Sequence, residues 1–155
     1  MLFRSPRSLG RVVVWSRDPA DLPLVEHGFL TDAGGEDAAR LVAGVALARR
    51  LAATAAVTEV ASMVPEHAAL DGGALDDWIA REVGGNFHPV GTCRMGTPRD
   101  PMAVVDGGGR VIGVEGLRVI DASILPGLPR ANTHLTVLAV AERLAEEPQG
   151  DTAGG

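Results

Sequence analysis

The ten residues FHPVGTCRMG, at positions 87–96, place a histidine, a threonine and the chain's single cysteine between a proline and two glycines. Pro89 disfavours helical backbone at His88, which favours an extended conformation for the histidine. Gly91 lets the backbone approach another group closely. An imidazole that is held at a fixed angle and titrates near neutral pH suits general acid or base catalysis. The motif therefore predicts a catalytic base at His88, although a histidine that only makes hydrogen bonds inside a core would fit the same composition.

Metal binding and cysteine chemistry are less favoured at this motif. The spacing of the histidines disfavours a metal site, because none forms an His-x-x-x-His pair. The chain has four: His27, His67, His88 and His134. A nucleophilic Cys93 would need a neighbouring base and an electropositive pocket, and Arg94 would point to the opposite face of an extended segment. We expect Cys93 to be a small buried apolar residue.

A second candidate site lies at residues 117–145, with the sequence LRVIDASILPGLPRANTHLTVLAVAERLA. A strand is predicted to end at Asp121, two prolines turn the chain, and Asn132 or Thr133 opens a helix. The N-terminus of a helix carries partial positive charge and unpaired N–H groups, which suit an anionic or electron-rich partner such as a flavin ring or a phosphate. Asn132 could equally serve only as the N-cap of its helix.

The elements that must position these residues follow from periodicity and from turn residues. Apolar side chains at helical spacing predict three helices, at about 36–54, 75–83 and 133–146. Short β-branched runs bounded by glycines or by Asp-Pro predict strands at 10–16, 103–105, 110–114 and 117–120. The order of these elements predicts an α+β fold with short, mostly antiparallel strands and about three helices.

Composition narrows the class of protein. The chain has 155 residues, 46% of them hydrophobic, which is enough for a core of one domain's size. A net charge of -6 and the absence of interleaved aromatic and basic residues argue against nucleic acid. One cysteine cannot form an internal disulfide, and no apolar run is long enough for a signal peptide or a membrane span. We therefore expect a cytoplasmic protein that does not enter a membrane.

Taken together, the two motifs resemble the C-terminal region of the glucose-methanol-choline (GMC) oxidoreductases, flavoenzymes that oxidise alcohols. The matching positions run in register through more than fifty residues. They are His88-Pro89-x-Gly91-Thr92-Cys93-x-Met95-Gly96, Val105-Asp106, Arg110-Val111-x-Gly113-Val114-x-Gly116-Leu117-Arg118-Val119-x-Asp121-Ala122-Ser123, Pro126, Asn132-Thr133 and Ala141-Glu142-Arg143. The upstream segments SPRSLGRVVVWSRDPADLP and LVAGVALARRLA are similar to the family's entry into its substrate domain.

The resemblance implies a role for each of these positions. His88 would be the base that takes the alcohol's hydroxyl proton while a hydride leaves the carbon for FAD. Asn132 would hydrogen-bond the substrate oxygen, with His134 as a less favoured alternative. Contacts to the cofactor are implied at Asp121, Ala122 and the backbone amides of Thr133 and His134. The resemblance does not specify the alcohol or the electron acceptor.

The resemblance also implies a division of the chain and a missing partner. Residues 1–85 would belong to the substrate-binding domain, 86–148 would carry the catalytic motif and complete the flavin site, and 149–155 would be a disordered tail. No G-x-G-x-x-G is present, because Gly107–Gly109 has the wrong spacing and precedes a strand. We therefore expect the C-terminal piece of a larger enzyme, active when an FAD-binding half is supplied. The alternative is a non-catalytic remnant or interaction module.

Overall fold

The computed structural model describes residues 6–62 and 69–146, which fall into two compact units. Within the described residues, the first unit ends at Gly84 and the second begins at Gly85. The functions assigned to 1–85 and 86–148 stay predictions. The tail predicted to be disordered, 149–155, lies outside the described residues.

The first unit begins with a two-stranded antiparallel sheet. Strand β1 (Arg11–Val13) pairs with β2 (Leu24–Glu26), with Val12 opposite Val25. The ladder is shorter than the predicted 10–16 strand. Gly10, just before β1, lies very close to the backbone that follows β2. A Cβ atom on Gly10 would lie 2.6 Å from the carbonyl oxygen of His27. Only glycine, which has no side chain, fits where these two backbone segments meet.

Three helices follow in the described part of the first unit. They are α1 (Glu36–Ala52), α2 (Ala55–Thr58) and α3 (Gly72–Glu82). Helices α1 and α3 contact each other, and α3 buries Leu75 and Ile79. These two apolar side chains lie one helical turn apart, so they share the face of α3 that is removed from water.

A buried carboxylate ties the start of the described chain to α1. Asp37 is 8% exposed and accepts hydrogen bonds from the backbone N–H of Arg7, at 3.0 Å, and of Ser8, at 2.8 Å. The Ser8 hydroxyl donates to Asp37 Oδ2 at 2.7 Å, and the Arg40 guanidinium donates to Oδ1 at 3.1 Å. Burial by itself would raise the pKa of Asp37, but these donors together hold that pKa below its ordinary value.

The same cluster caps α1. Gly35 precedes the helix with a φ of 62° and offers no side chain for capping. The Asp32 carboxylate instead accepts the N–H of Glu36 at 2.6 Å. The Ser8 hydroxyl accepts the N–H groups of Thr31, at 3.1 Å, and Asp32, at 3.2 Å. Asp32, which also accepts the N–H of Asp37 at 3.3 Å, therefore satisfies donors that the first turn of a helix leaves unpaired, and Ser8 holds the backbone of the loop before the helix.

The second unit is built around one small apolar core. Val105 and Ile124 are fully buried and Leu144 is 5% exposed. Ile124 ends a 3₁₀ turn (Ala122–Ile124), and Leu144 lies near the end of helix α4 (Thr133–Ala145). Partly buried side chains pack around these three: Met95, Val104, Val111, Val119, Ile120 and Val140. The core thus joins the histidine motif, the glycine-rich segment and α4.

The strands predicted in the second unit are wrong in extent. Residues 103–105, 110–114 and 117–120 pair only through isolated bridges. These bridges join Met95 to Val105, Val105 to Val111, and Arg110 to Arg118. Positive φ angles at Gly109, Gly113 and Gly116 turn the chain before a ladder can extend, which explains why the β-branched runs do not become strands.

The glycine triplet at 107–109 forms a packed turn. A Cβ atom on Gly109 would lie 2.8 Å from the carbonyl oxygen of Val119. The Arg118 guanidinium donates to the carbonyl of Gly108 at 2.8 Å and to the carbonyl of Leu144 at 2.8 Å. Arg118 thereby holds this turn and satisfies one of the last carbonyls of α4.

The α+β class and the three predicted helices are confirmed, with α2 as an additional short helix. In the part of the chain that the structure describes, no helix combines the length and apolar character needed to cross a bilayer. The helix boundaries differ from prediction by no more than three residues.

The Asp37 cluster gives a test of the first unit. Replacing Asp37 by Asn should lower the free energy of unfolding at neutral pH by about 1 to 3 kcal/mol, since hydrogen bonds to a charged acceptor are lost. Both tryptophans, Trp15 and Trp78, lie in the first unit, so denaturant unfolding followed by tryptophan fluorescence reports on it.

The pH dependence separates this effect from a general one. Because the folded pKa of Asp37 is lowered, its stabilisation is complete above about pH 4, the usual value in an unfolded chain, and is lost as pH falls through the folded pKa. The difference between wild type and Asp37→Asn should therefore shrink in acid. Asp77→Asn, on the exposed side of α3, is the matched control and should stay within about 0.5 kcal/mol of wild type. Equal effects at both positions would contradict the assignment.

Candidate active site

Backbone hydrogen bonds on both sides hold the segment that follows His88. The N–H of Cys93 donates to the carbonyl of Ser123 at 3.1 Å, and the N–H of Met95 donates to the carbonyl of Ile124 at 2.7 Å. The carbonyl of Arg94 accepts the N–H of Val104 at 2.9 Å. The motif therefore lies between the 3₁₀ turn and the glycine-rich segment, attached to the buried core.

The residue before His88 has a strained backbone conformation. Phe87 has a φ of 57° and a side chain that is 94% exposed, and such a conformation is uncommon for a bulky residue. His88 itself is half-buried. Its Nδ1 atom lies 2.9 Å from Oγ1 of Thr133, the first residue of α4, 45 positions later in the chain. The structure thus joins the two motifs that the sequence singled out.

Asn132 occupies the N-cap position of α4, as predicted. Its side chain is exposed and makes no capping hydrogen bond, although asparagine is among the strongest capping residues. His134 is exposed in the first turn. The first N–H groups of a helix have no partner within it, so this end of α4 and the Asn132 amide can receive an electron-rich group.

Asp121 and Ala122 lie at the start of the 3₁₀ turn. The Asp121 carboxylate accepts the hydroxyl of Ser123 at 2.5 Å and its N–H at 2.8 Å, and these hydrogen bonds lower the pKa of Asp121. Ala122 is half-buried. The structure links both residues to the histidine motif through the carbonyl of Ser123, which accepts from Cys93. Their predicted contact with a cofactor stays a prediction.

Cys93 is less buried than the sequence predicted, and the arginine next to it is paired with a carboxylate. Cys93 is a half-buried free thiol, and Arg94 forms an ion pair with Asp100 at 2.6 Å. Within residues 6–62 and 69–146, no three His, Cys, Asp or Glu side chains cluster as metal ligands. His67 lies outside these ranges.

The residue whose side chain the sequence reasoning missed is Thr133. The sequence predicted a cofactor contact for its backbone N–H and an alternative N-cap role, yet its hydroxyl contacts His88 and the residue is 7% exposed. A threonine at the first position of a helix, directly after the candidate Asn132, was the available signal. Its partner could not be identified from sequence, because the contact spans 45 positions.

Comparison with known proteins places this arrangement in a family. The family model described as GMC oxidoreductase matches residues 6–141. The chain is 39% identical over 150 residues to choline oxidase from Arthrobacter globiformis, which covers 96% of this chain and 28% of that protein.

Solved structures agree with this match. Pyridoxine 4-oxidase from Mesorbium loti superposes with a TM-score of 0.78 at 32% identity, over 91% of this chain and 27% of that one. An FAD-dependent oxidoreductase from Chaetomium thermophilum gives a TM-score of 0.75 at 28% identity, over 88% of this chain and 24% of that one. The chain therefore spans about a quarter of the length of these relatives. It belongs to the GMC oxidoreductase family and corresponds to the C-terminal region of its members.

Proposed function

We propose that this chain is the C-terminal catalytic part of an FAD-dependent oxidoreductase that oxidises the CH–OH group of an alcohol. The observation that carries the proposal is the contact between His88 and the first residue of α4, at 2.9 Å. The contact brings an imidazole next to a helix N-terminus. The asparagine before that helix makes no capping hydrogen bond with its side chain. Two relatives, choline oxidase and pyridoxine 4-oxidase, are named for substrates of this class.

In this proposal, two side chains act on the alcohol. His88 takes the hydroxyl proton, and the Asn132 amide donates a hydrogen bond that orients the substrate oxygen. When bound, FAD supplies the acceptor for the hydride that leaves the carbon. Because the folded chain already holds the base and the donor in position, less entropy is lost in reaching the transition state.

The residues present fit part of a flavin site. The N-terminal end of α4 presents unpaired N–H groups and no side-chain cap, which suits an electron-rich ring edge. The Asp121–Ala122 segment and the amides of Thr133 and His134 are the proposed contacts. The dinucleotide itself requires a glycine-rich loop before a helix, whereas Gly109 packs against Val119 in a core turn. We propose that an FAD-binding half, in the same polypeptide or on another chain, supplies that loop.

The second candidate function is a non-catalytic interaction module. Large apolar side chains that are strongly exposed in the second unit favour it, because such surfaces mark contacts with a partner. They include Phe87 (94% exposed), Leu135 (75%) and Met102 (65%). Flavin binding by the completed protein discriminates the two candidates. A cytoplasmic location stays a prediction from the sequence.

A hybrid protein tests the role of His88. Residues 6–146 would replace the matching region of the choline oxidase from Arthrobacter globiformis, which supplies the remaining length. We expect His88→Ala to retain flavin and to slow its anaerobic reduction by an alcohol by at least about a hundredfold, since a positioned base contributes on this order. Loss of the flavin absorbance band in a stopped-flow instrument measures the rate.

His27→Ala is the matched control, because His27 is exposed and stacks on Phe29 in the first unit. It should leave the reduction rate unchanged. A His88→Ala hybrid that reduces flavin at the unsubstituted rate would remove His88 from the mechanism. A hybrid that folds but binds no flavin would instead support the interaction module.

The same hybrid tests Asn132. Asn132→Ala should slow flavin reduction by about tenfold, because one neutral hydrogen bond contributes about 1 to 1.5 kcal/mol. Asn132→Asp keeps the shape and the capping ability but removes the amide donor, so it should be slowed at least as much. Should Asn132→Asp react as fast as the unsubstituted hybrid, Asn132 would be a helix cap only.

A further inference from the structure

The contact between His88 and Thr133 constrains how the imidazole can act. A hydroxyl can donate or accept, so the 2.9 Å contact allows two arrangements. If the Thr133 hydroxyl donates to Nδ1, the neutral ring carries its proton on Nε2 and has no nitrogen ready to take another. If Nδ1–H donates to Thr133 Oγ1, the proton sits on Nδ1 and Nε2 holds the lone pair.

We propose that Thr133 is a positioning residue for His88: its hydroxyl oxygen accepts from Nδ1–H and so keeps the proton off Nε2, the nitrogen that then takes the proton of the alcohol. This inference rests on the proposed role of His88 as base. It extends that role by naming the nitrogen that reacts and the side chain that selects it. The hydrogen bond made by one ring nitrogen generally decides which nitrogen carries the proton.

The second arrangement serves both states of the reaction. When the hydroxyl proton of the alcohol moves to Nε2, both ring nitrogens carry hydrogen, and Nδ1–H still donates to Thr133 Oγ1. The contact then becomes charge-assisted and stronger without any movement of the ring. In the first arrangement, where the Thr133 hydroxyl donates to Nδ1, the hydrogen bond could not persist in a doubly protonated ring, because the charged ring has no acceptor nitrogen.

The surroundings of Thr133 suit a positioning role. The residue is 7% exposed, so water competes poorly for its hydroxyl. Its β-branched side chain is stiff, and it belongs to α4, whose other end is anchored by the buried Leu144. The oxygen that His88 meets is therefore fixed relative to the core.

Nitrogen NMR of the histidine rings tests the inference in the 155-residue chain itself, without flavin. At a pH well above neutral, long-range proton–nitrogen spectra distinguish a ring protonated on Nδ1 from one protonated on Nε2. Comparison with His88→Gln assigns the His88 signals. Wild type and Thr133→Ser should carry the proton on Nδ1, and Thr133→Val should shift it to Nε2, the nitrogen that free neutral histidine prefers.

Two results would overturn the inference: a wild-type His88 protonated on Nε2, or a Thr133→Val ring unchanged from wild type. If Thr133→Val fails to fold, the wild-type and Thr133→Ser spectra still decide the question. In the hybrid, Thr133→Val should slow flavin reduction by about tenfold, with recovery in Thr133→Ser. The ring spectra need no turnover, so failure of the proposed activity and failure of the positioning role are separable.

Discussion

Two backbone hydrogen bonds, from Cys93 to the carbonyl of Ser123 and from Met95 to the carbonyl of Ile124, determine the geometry of the second unit. They align the segment after His88 with the 3₁₀ turn that precedes α4, and Ile124 is fully buried. Everything proposed for the site depends on this alignment. If it were lost, the imidazole would have no fixed distance to the start of α4.

In both units a charged side chain holds short elements together, since the described residues of neither unit form an extended sheet. In the first unit, the buried Asp37 carboxylate collects donors from a segment about thirty residues earlier and so fixes the start of α1. In the second unit, the Arg118 guanidinium spans the carbonyls of Gly108 and Leu144. Each charged group satisfies backbone that would otherwise be unpaired, which is how short elements and turns persist around a small core.

The sequence predicted the elements that depend on local pattern. The apolar stripes of α1 and α4 and the stop signal after α3 are properties of neighbouring residues, so their positions were close to those observed. The β-branched runs at 103–120 misled, because strand formation depends on pairing and the glycines between them turn the chain too soon. The Asp37 cluster could not be anticipated, since its partners are distant in sequence.

In the candidate site too, features set by neighbouring residues were predictable and contacts between distant residues were not. Proline and glycine around His88 and the helix start at Asn132 are local signals, and both residues were identified from them. That the Asn132 amide is not used as a cap, and that the Thr133 hydroxyl meets His88, are facts of three-dimensional packing. The sequence pattern identified the candidate residues, and the folded structure shows which of their side chains are in contact.

The central claim is that the histidine motif and the start of α4 form one site within residues 85–146. A nuclear Overhauser spectrum of the labelled chain, with His88 and Thr133 both assigned, tests it most directly. We predict a cross-peak between the ring protons of His88 and the methyl group of Thr133. Well-resolved signals from both residues with no cross-peak between them would show that the two motifs do not meet, and would contradict the account.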